Sequence, residues 1–254
     1  MWQNRINCMN ITLKVWRQKN TSTPGKLVEY KLANIDPDMS FLEMFDILNG
    51  ELTHKGEQII AFDHDCREGI CGSCAMYVNG RAHGPQTGAA VCQLYMRSFN
   101  DGDTIIVEPW RSRGFPVIKD LSTDRSAFDR IVQAGGYISV NTGAAPEANE
   151  ILVSHEIQET TMDAAACIAC GACVAACKNA SAMLFVSAQV SRFALLPQGQ
   201  SERRTRAERM VAQMDSEGFG ACSFTGACAV ECPASVSLEN IARLNREYLG
   251  AKIR

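Results

Sequence analysis

Eleven of the twelve cysteines fall into three groups, and the spacing inside each group is that of iron–sulfur ligation. Cys66, Cys71 and Cys74 follow the C-x4-C-x2-C pattern of plant-type [2Fe–2S] centres, with Cys92 downstream as the fourth ligand. Gly69 and Gly72 inside the loop let the backbone fold tightly, so that its amides can hydrogen-bond the sulfurs and help set the potential. A zinc site is the alternative; the x4-then-x2 spacing with two internal glycines argues against it. Cys8 stands outside every group and reads as a free thiol.

Cys167, Cys170, Cys173 and Cys177 form a C-x2-C-x2-C-x3-C run with bacterial ferredoxin spacing, although Lys178 stands where proline usually follows. Cys222, Cys228 and Cys232-Pro233 repeat the run, proline included, with Thr225 in place of the second cysteine. In two-cluster ferredoxins the fourth cysteine of each run ligates the other cluster. Cys167, Cys170, Cys173 and Cys232 should therefore hold a [4Fe–4S] centre, which leaves Cys177, Cys222 and Cys228 for the second. Three thiolates and a threonine suit a [3Fe–4S] cluster, which dispenses with the fourth ligand, in preference to a [4Fe–4S] cluster with a non-cysteine ligand.

Little else in the chain could carry chemistry. Of the four histidines, His64 alone is close in sequence to a centre, and it reads as a neighbour because four cysteines already complete that site. No Ser–His–Asp arrangement, HExxH, P-loop or GxGxxG occurs, so hydrolysis and hydride transfer have no site. The formal charge of −3 offers no basic stripe for nucleic acid. No apolar run approaches the ~18–20 residues of a membrane span, and Ala180–Ala188, the longest candidate, contains two serines. The N-terminal MWQNRINCMN has no apolar h-region, which argues against a secretory signal and for thiols over disulfides; Met9 is a second candidate start.

The elements that must position these groups differ between the two halves of the 254-residue chain. Alternation predicts strands over Ile11–Trp16 and Leu27–Leu32, joined at Thr23-Pro24-Gly25. Asp38 or Ser40 can cap a helix carrying Phe41, Leu42, Phe45 and Leu48. Short strands follow at Ala75–Val78, before the Asn79-Gly80 turn, and at Thr104–Val107. This is the order of an α+β sheet domain. Beyond about Pro116 the pattern is helical, with Phe128, Ile131 and Val132 on a helix ending at Gly135-Gly136 and an exposed loop over Asn141–Glu150. Helices are then expected over Ala182–Val190, Arg203–Met214 and Leu238–Leu249, the last with Leu238, Ile241, Ala242, Asn245 and Leu249 on its apolar stripe. The domains read as 1–115 and 116–254. Arg203, Arg204, Arg206 and Arg209 read as a solvated face rather than a membrane-headgroup contact, and Trp110-Arg-Ser-Arg113 as a partner contact or a solvated basic turn.

With the plant-type loop (Asp63–Cys74), the Phe115-Pro-Val-Ile-Lys-Asp-Leu121 joint and both cysteine runs around Thr225, the chain resembles the iron–sulfur subunit of succinate dehydrogenase and fumarate reductase over nearly its whole length. The resemblance implies a plant-ferredoxin-like β-grasp domain followed by an all-α, bacterial-ferredoxin-like domain. It implies a flavoprotein subunit with FAD and a membrane-anchor cytochrome b subunit with haem b, where quinone reacts. Electrons would enter at the [2Fe–2S] centre, pass the [4Fe–4S] and leave from the [3Fe–4S], on the cytoplasmic face of the inner membrane.

Three departures stand out. Seventeen residues, including His83-Gly84-Pro85, separate Cys74 from Cys92; Lys178-Asn179 replaces a proline and the tryptophan near it is missing; Ser223 replaces a histidine. These changes lean toward members with a di-haem anchor and menaquinone, and Lys178, Asn179, Ser223 and Thr225 become the quinone-site candidates. The rivals are the iron–sulfur subunit of another flavin oxidoreductase, such as a glycolate- or thiol-linked one, and a stand-alone multi-cluster ferredoxin. Thr225→Cys should supply the missing ligand, giving a four-iron cluster of lower potential. In the oxidised variant the paramagnetic resonance of a three-iron centre should disappear.

Overall fold

Apolar residues at every second position from Met9 build the first strand, β1 (Met9–Arg17), which buries Met9, Ile11, Leu13 and Val15 on one face. It pairs antiparallel with β2 (Lys26–Ile35). Across the sheet lie β3 (Tyr77–Val78), β4 (Arg81–Ala82) and β5 (Thr104–Glu108), in the order β2-β1-β5-β3-β4, with β5 parallel to β1. Helix α1 (Phe41–His54) buries Phe41, Leu42, Met44, Phe45, Leu48 and Leu52 in the core the sheet shares. Ser40, not Asp38, caps it through a reciprocal box with Glu43, a device of about 1 kcal/mol. The third expected strand shrinks to Tyr77–Val78, because Ala75 is held in a tight turn to the carbonyl of Ser73.

The computed structural model describes residues 8–140 and 150–253, which fall into two units, Met1–Asp124 and Arg125–Arg254. The first unit runs past the boundary expected after Phe115. A hairpin of β6 (Val117–Lys119) and β7 (Ser122–Thr123) ties back to it through the buried Asp120. That carboxylate accepts from Arg17 at 3.1 Å and from the amides of Gln18 and Ala61 at 2.9 and 3.0 Å.

The second unit is helical, with α2 (Ser126–Gln133), α3 (His155–Ala165), α4 (Ala172–Ala176), α5 (Met183–Ala194), α6 (Arg203–Ser216), α7 (Ala227–Val230) and α8 (Glu239–Lys252). Helix α5 is its axis, with nine buried residues and packing against α3, α6 and α8. Phe185 stacks on Phe128 of α2 with ring centroids 3.7 Å apart. The loop expected at Asn141–Glu150 lies, but for Glu150, outside the described residues.

Three readings of single residues change. Arg206 is not on a solvated face: it is 2 % exposed. Its guanidinium donates to the carbonyls of Gly135, Gly199 and Tyr137 and to Glu202. Arg203 grips Glu247 of α8 with two bonds of 2.5 and 2.6 Å, while Arg204 and Arg209 are exposed. Helix α8 buries Asn240, Ile241, Leu244 and Glu247 and exposes Ala242, Asn245 and Leu249, so the expected stripe holds only at Ile241 among the buried positions. Trp110 is neither partner contact nor solvated turn: at 1 % exposure it packs edge-on against Tyr77 and His83.

Arg206→Ala should destabilise the helical unit by about 3 kcal/mol, since the buried carbonyl of Gly199 and the part-buried bonds to Gly135 and Tyr137 lose their donor. The exposed Arg209→Ala should change stability by less than about 0.5 kcal/mol. Urea midpoints followed by far-ultraviolet dichroism check the pair, and equal effects would contradict the buried placement.

Candidate metal centres

In the first unit the loop from Cys66 to Cys74 leaves the end of the core and wraps its own sulfurs. The amides of Glu68, Ile70 and Cys71 point at the Cys66 sulfur at 3.4, 3.4 and 3.3 Å, and the Gly69 amide points at that of Cys92 at 3.1 Å. These bonds hold the Cys66 thiol down at about 7, and the Cys74 thiol beside Cys92 brings the latter down to about 6. Cys74 moves up in turn, because it keeps the proton of the pair and is buried. Gly69 adopts φ +73°, a left-handed backbone that glycine takes without strain. Amides converging on sulfur are what an iron-bound thiolate needs. His64 is exposed and its ring lies tilted against that of Phe62, near Arg67, a neighbour of the loop.

In the second unit the two cysteine runs are laid out on one backbone template. Corresponding residues are 55 positions apart (222 − 167, 225 − 170, 228 − 173, 232 − 177). Left-handed residues recur at the same offset: Ala169 and Phe224, Gly171 and Gly226, Ala180 and Ser235. The one-turn helices α4 and α7 follow Gly171 and Gly226 and pack together. Cys167, Cys170, Cys173 and Cys232 line one cavity; Cys177, Cys222 and Cys228, with Thr225, line another. The fourth cysteine of each run has crossed to the other's site. Among the described residues no three His, Cys, Asp or Glu donors converge on a single-ion position; the sulfurs stand around spaces instead.

The two cavities differ in water access. Burial pushes the Cys170 thiol up to about 12 and that of Cys173 well above its usual value, and raises Cys167 as well. The apolar wall is Phe128, Leu184, Phe185 and Val236. Arg125 binds the carbonyl of Ala169 at 3.0 Å, and its charge, like that of Arg192, favours thiolate there. Around the second cavity Cys222, Ser223, Phe224 and Thr225 are all exposed. All twelve cysteines are free thiols. The donor set fits iron–sulfur clusters in all three places, with thiol ligands, apolar walls and amides aimed at sulfur.

The expected quinone-site residues are brought together in part. Asn179 donates to Ser223 Oγ at 3.2 Å and to the carbonyl of Ala221 at 3.0 Å, joining the two runs. Ser223 and Thr225 line the second cavity, and Lys178 is exposed beside Cys177. An adjoining groove includes Ser181 and Phe224, but its other apolar walls, Met183, Met214, Phe219 and Ile241, carried no sequence signal, because the lining comes from four separate stretches of chain.

A 2Fe–2S iron–sulfur cluster binding domain matches residues 12–130, and a 4Fe–4S dicluster domain residues 163–236. The fumarate reductase iron–sulfur subunit of Wolinella succinogenes is 29% identical over 94% of this chain and 97% of its own length. The succinate dehydrogenase iron–sulfur subunit of Bacillus subtilis is 28% identical over 80% of this chain and 79% of its own. Over nearly its whole length the chain is similar to the iron–sulfur subunits of succinate dehydrogenase and fumarate reductase. A chain of the Mycobacterium smegmatis Sdh1 complex shares the fold, with a TM-score of 0.62 at 20% identity over 97% of this chain and 98% of that one. A component of the CoM/CoB fumarate reductase of Methanothermobacter marburgensis is 28% identical over 70% of this chain but 32% of its own. The subunit thus carries a 2Fe–2S and a 4Fe–4S domain.

The crossing of the fourth cysteines has a sharp consequence for substitution. Cys232→Ser should disturb the cluster of the cavity lined by Cys167, Cys170 and Cys173, and Cys177→Ser that of the cavity lined by Cys222 and Cys228, each against its place in sequence. Paramagnetic resonance of the two variants, oxidised and reduced, checks this; signals lost run by run would contradict the crossing.

Proposed function

We propose that this iron–sulfur subunit passes electrons between the FAD of a flavoprotein subunit and a quinone at a membrane anchor, as in succinate:quinone oxidoreductases. Cys66, Cys71, Cys74 and Cys92 would hold the [2Fe–2S] centre; Cys167, Cys170, Cys173 and Cys232 the [4Fe–4S]; and Cys177, Cys222 and Cys228 the [3Fe–4S]. When bound, the clusters supply one-electron redox chemistry, and the chain's own residues do the rest. Amides of residues 68–71 stabilise charge on the first set of sulfurs. Phe128, Leu184 and Phe185 exclude water from the second. Thr225 leaves the third without a fourth thiolate at an exposed position.

The observation that carries this reading is the unequal burial of two otherwise matching runs. A site with Cys170 and Cys173 buried suits an interior relay, and a site with no buried thiol and Cys222 exposed suits the end where electrons leave. Asn179, Ser223 and Thr225 around that end, with Lys178 beside Cys177, are the groups offered to a quinone. Loss of the proline and histidine from this rim favours menaquinone and a haem b-bearing, di-haem cytochrome anchor. Among the described residues no helix is long and apolar enough to cross a membrane, so membrane attachment would be through that anchor, on the cytoplasmic face. Near-complete mutual coverage with the Wolinella protein favours this over the CoM/CoB enzyme, whose matching component the chain spans for about a third of its length.

Purification of the subunit in its native complex tests the proposal. Co-purification of a covalent-flavin subunit and a b-type haem protein, with quinone-dependent succinate oxidation or fumarate reduction, is the expected result. Recovery of the chain alone, with all three clusters present, would favour the stand-alone ferredoxin.

A further inference from the structure

Ser73 sits between the last two cysteines of the first loop, 8 % exposed. Its hydroxyl oxygen accepts the Asp65 amide at 3.1 Å and lies 3.1 Å from the Cys71 sulfur. Its own amide also points at that sulfur, at 3.4 Å, and its carbonyl accepts from Ala75 at 2.7 Å, which fixes the backbone. An iron-bound cysteine is a thiolate and has no proton to give. The Asp65 amide is itself a donor and cannot receive one. The Ser73 proton is therefore left with the Cys71 sulfur as its acceptor.

We propose that Ser73 is a positioning residue that raises the midpoint potential of the [2Fe–2S] centre by donating its hydroxyl hydrogen to the Cys71 sulfur. This rests on the assignment of that centre to Cys66, Cys71, Cys74 and Cys92. Reduction adds one electron and one negative charge to the ligated cluster, and the electron comes from reduced flavin in the complex or from dithionite in a titration. A donor on a ligand sulfur stabilises the more negative, reduced state more than the oxidised one. The other donors in the loop are backbone amides, which substitution leaves in place; Ser73 is a side-chain donor that a single change removes.

The test is a redox titration of the purified complex, with the reduced [2Fe–2S] signal followed by paramagnetic resonance. Ser73→Ala should weaken electron affinity about tenfold, a fall of ~59 mV for a one-electron couple, with two irons retained at the site. Ser73→Thr, which keeps the hydroxyl, should restore the native midpoint. If Ser73 serves only to hold Asp65, thermal stability or cluster occupancy will fall while the midpoint stays, and the proposal is overturned. Should the alanine variant fail to assemble, Ser73→Cys keeps a weaker donor; an intermediate fall supports the proposal and an unchanged midpoint overturns it. Absence of any [2Fe–2S] signal in the unsubstituted protein would instead refute the assignment of the centre.

Discussion

Sulfur ligands must be gathered where water is sparse, yet they bind iron as anions. This conflict shapes each of the three sites. Burial alone drives the thiols of Cys170 and Cys173 toward the neutral form, so that the charge they carry as ligands has to be stabilised by iron and by nearby donors. Everything local to the sites serves that end. The left-handed residues turn the chain around the sulfurs, and α4 and α7 are too short to persist without the contacts they share.

The two units resolve the conflict differently. In the sheet unit, backbone does most of the stabilising: five amide-to-sulfur bonds come from residues 68–73, and the loop can stay near the surface. In the helical unit, amide-to-sulfur contacts are longer, 3.4 to 3.5 Å at Cys170, Cys222 and Cys232. Apolar walls and the charges of Arg125 and Arg192 take over there. A short loop can supply many amides but little burial; a helix bundle supplies burial while its amides are committed within its helices.

The sites were legible in sequence to a degree the fold was not, and the reason is spacing. Cluster ligation constrains cysteine separations tightly, so the crossing of Cys177 and Cys232 could be read directly and the cavities agree with it. Alternation over Ile11–Trp16 and the apolar positions of α1 were legible for the same reason, a fixed period. What escaped was set by partners distant in sequence. Arg206 reads as one of four arginines on a polar stretch until its carbonyl acceptors 69 and 71 positions away are known. Glu247 faces inward, where Arg203 meets it across α6 and α8. Trp110 reads as part of a basic turn, and only Tyr77 and His83 from the β3–β4 hairpin region reveal it as core. None of these pairings leaves a local pattern.

The repeat of 55 residues bears on what Thr225 means. Hydrogen bonds recur with the backbone angles: Val174 to Gly171 and Ala229 to Gly226, Cys177 to Val174 and Cys232 to Ala229, Ala180 to Cys177 and Ser235 to Cys232. A run that had merely lost a ligand by drift would have no need to keep this geometry. Here the backbone at Thr225 is still the one that presents Cys170 on the other side, and the flanking Phe224 and Gly226 still hold left-handed angles. For Phe224 that conformation carries strain, on the order of 1–2 kcal/mol. The two runs therefore share a backbone frame and differ at Thr225 and in exposure, with Lys178 where the other run has Pro233.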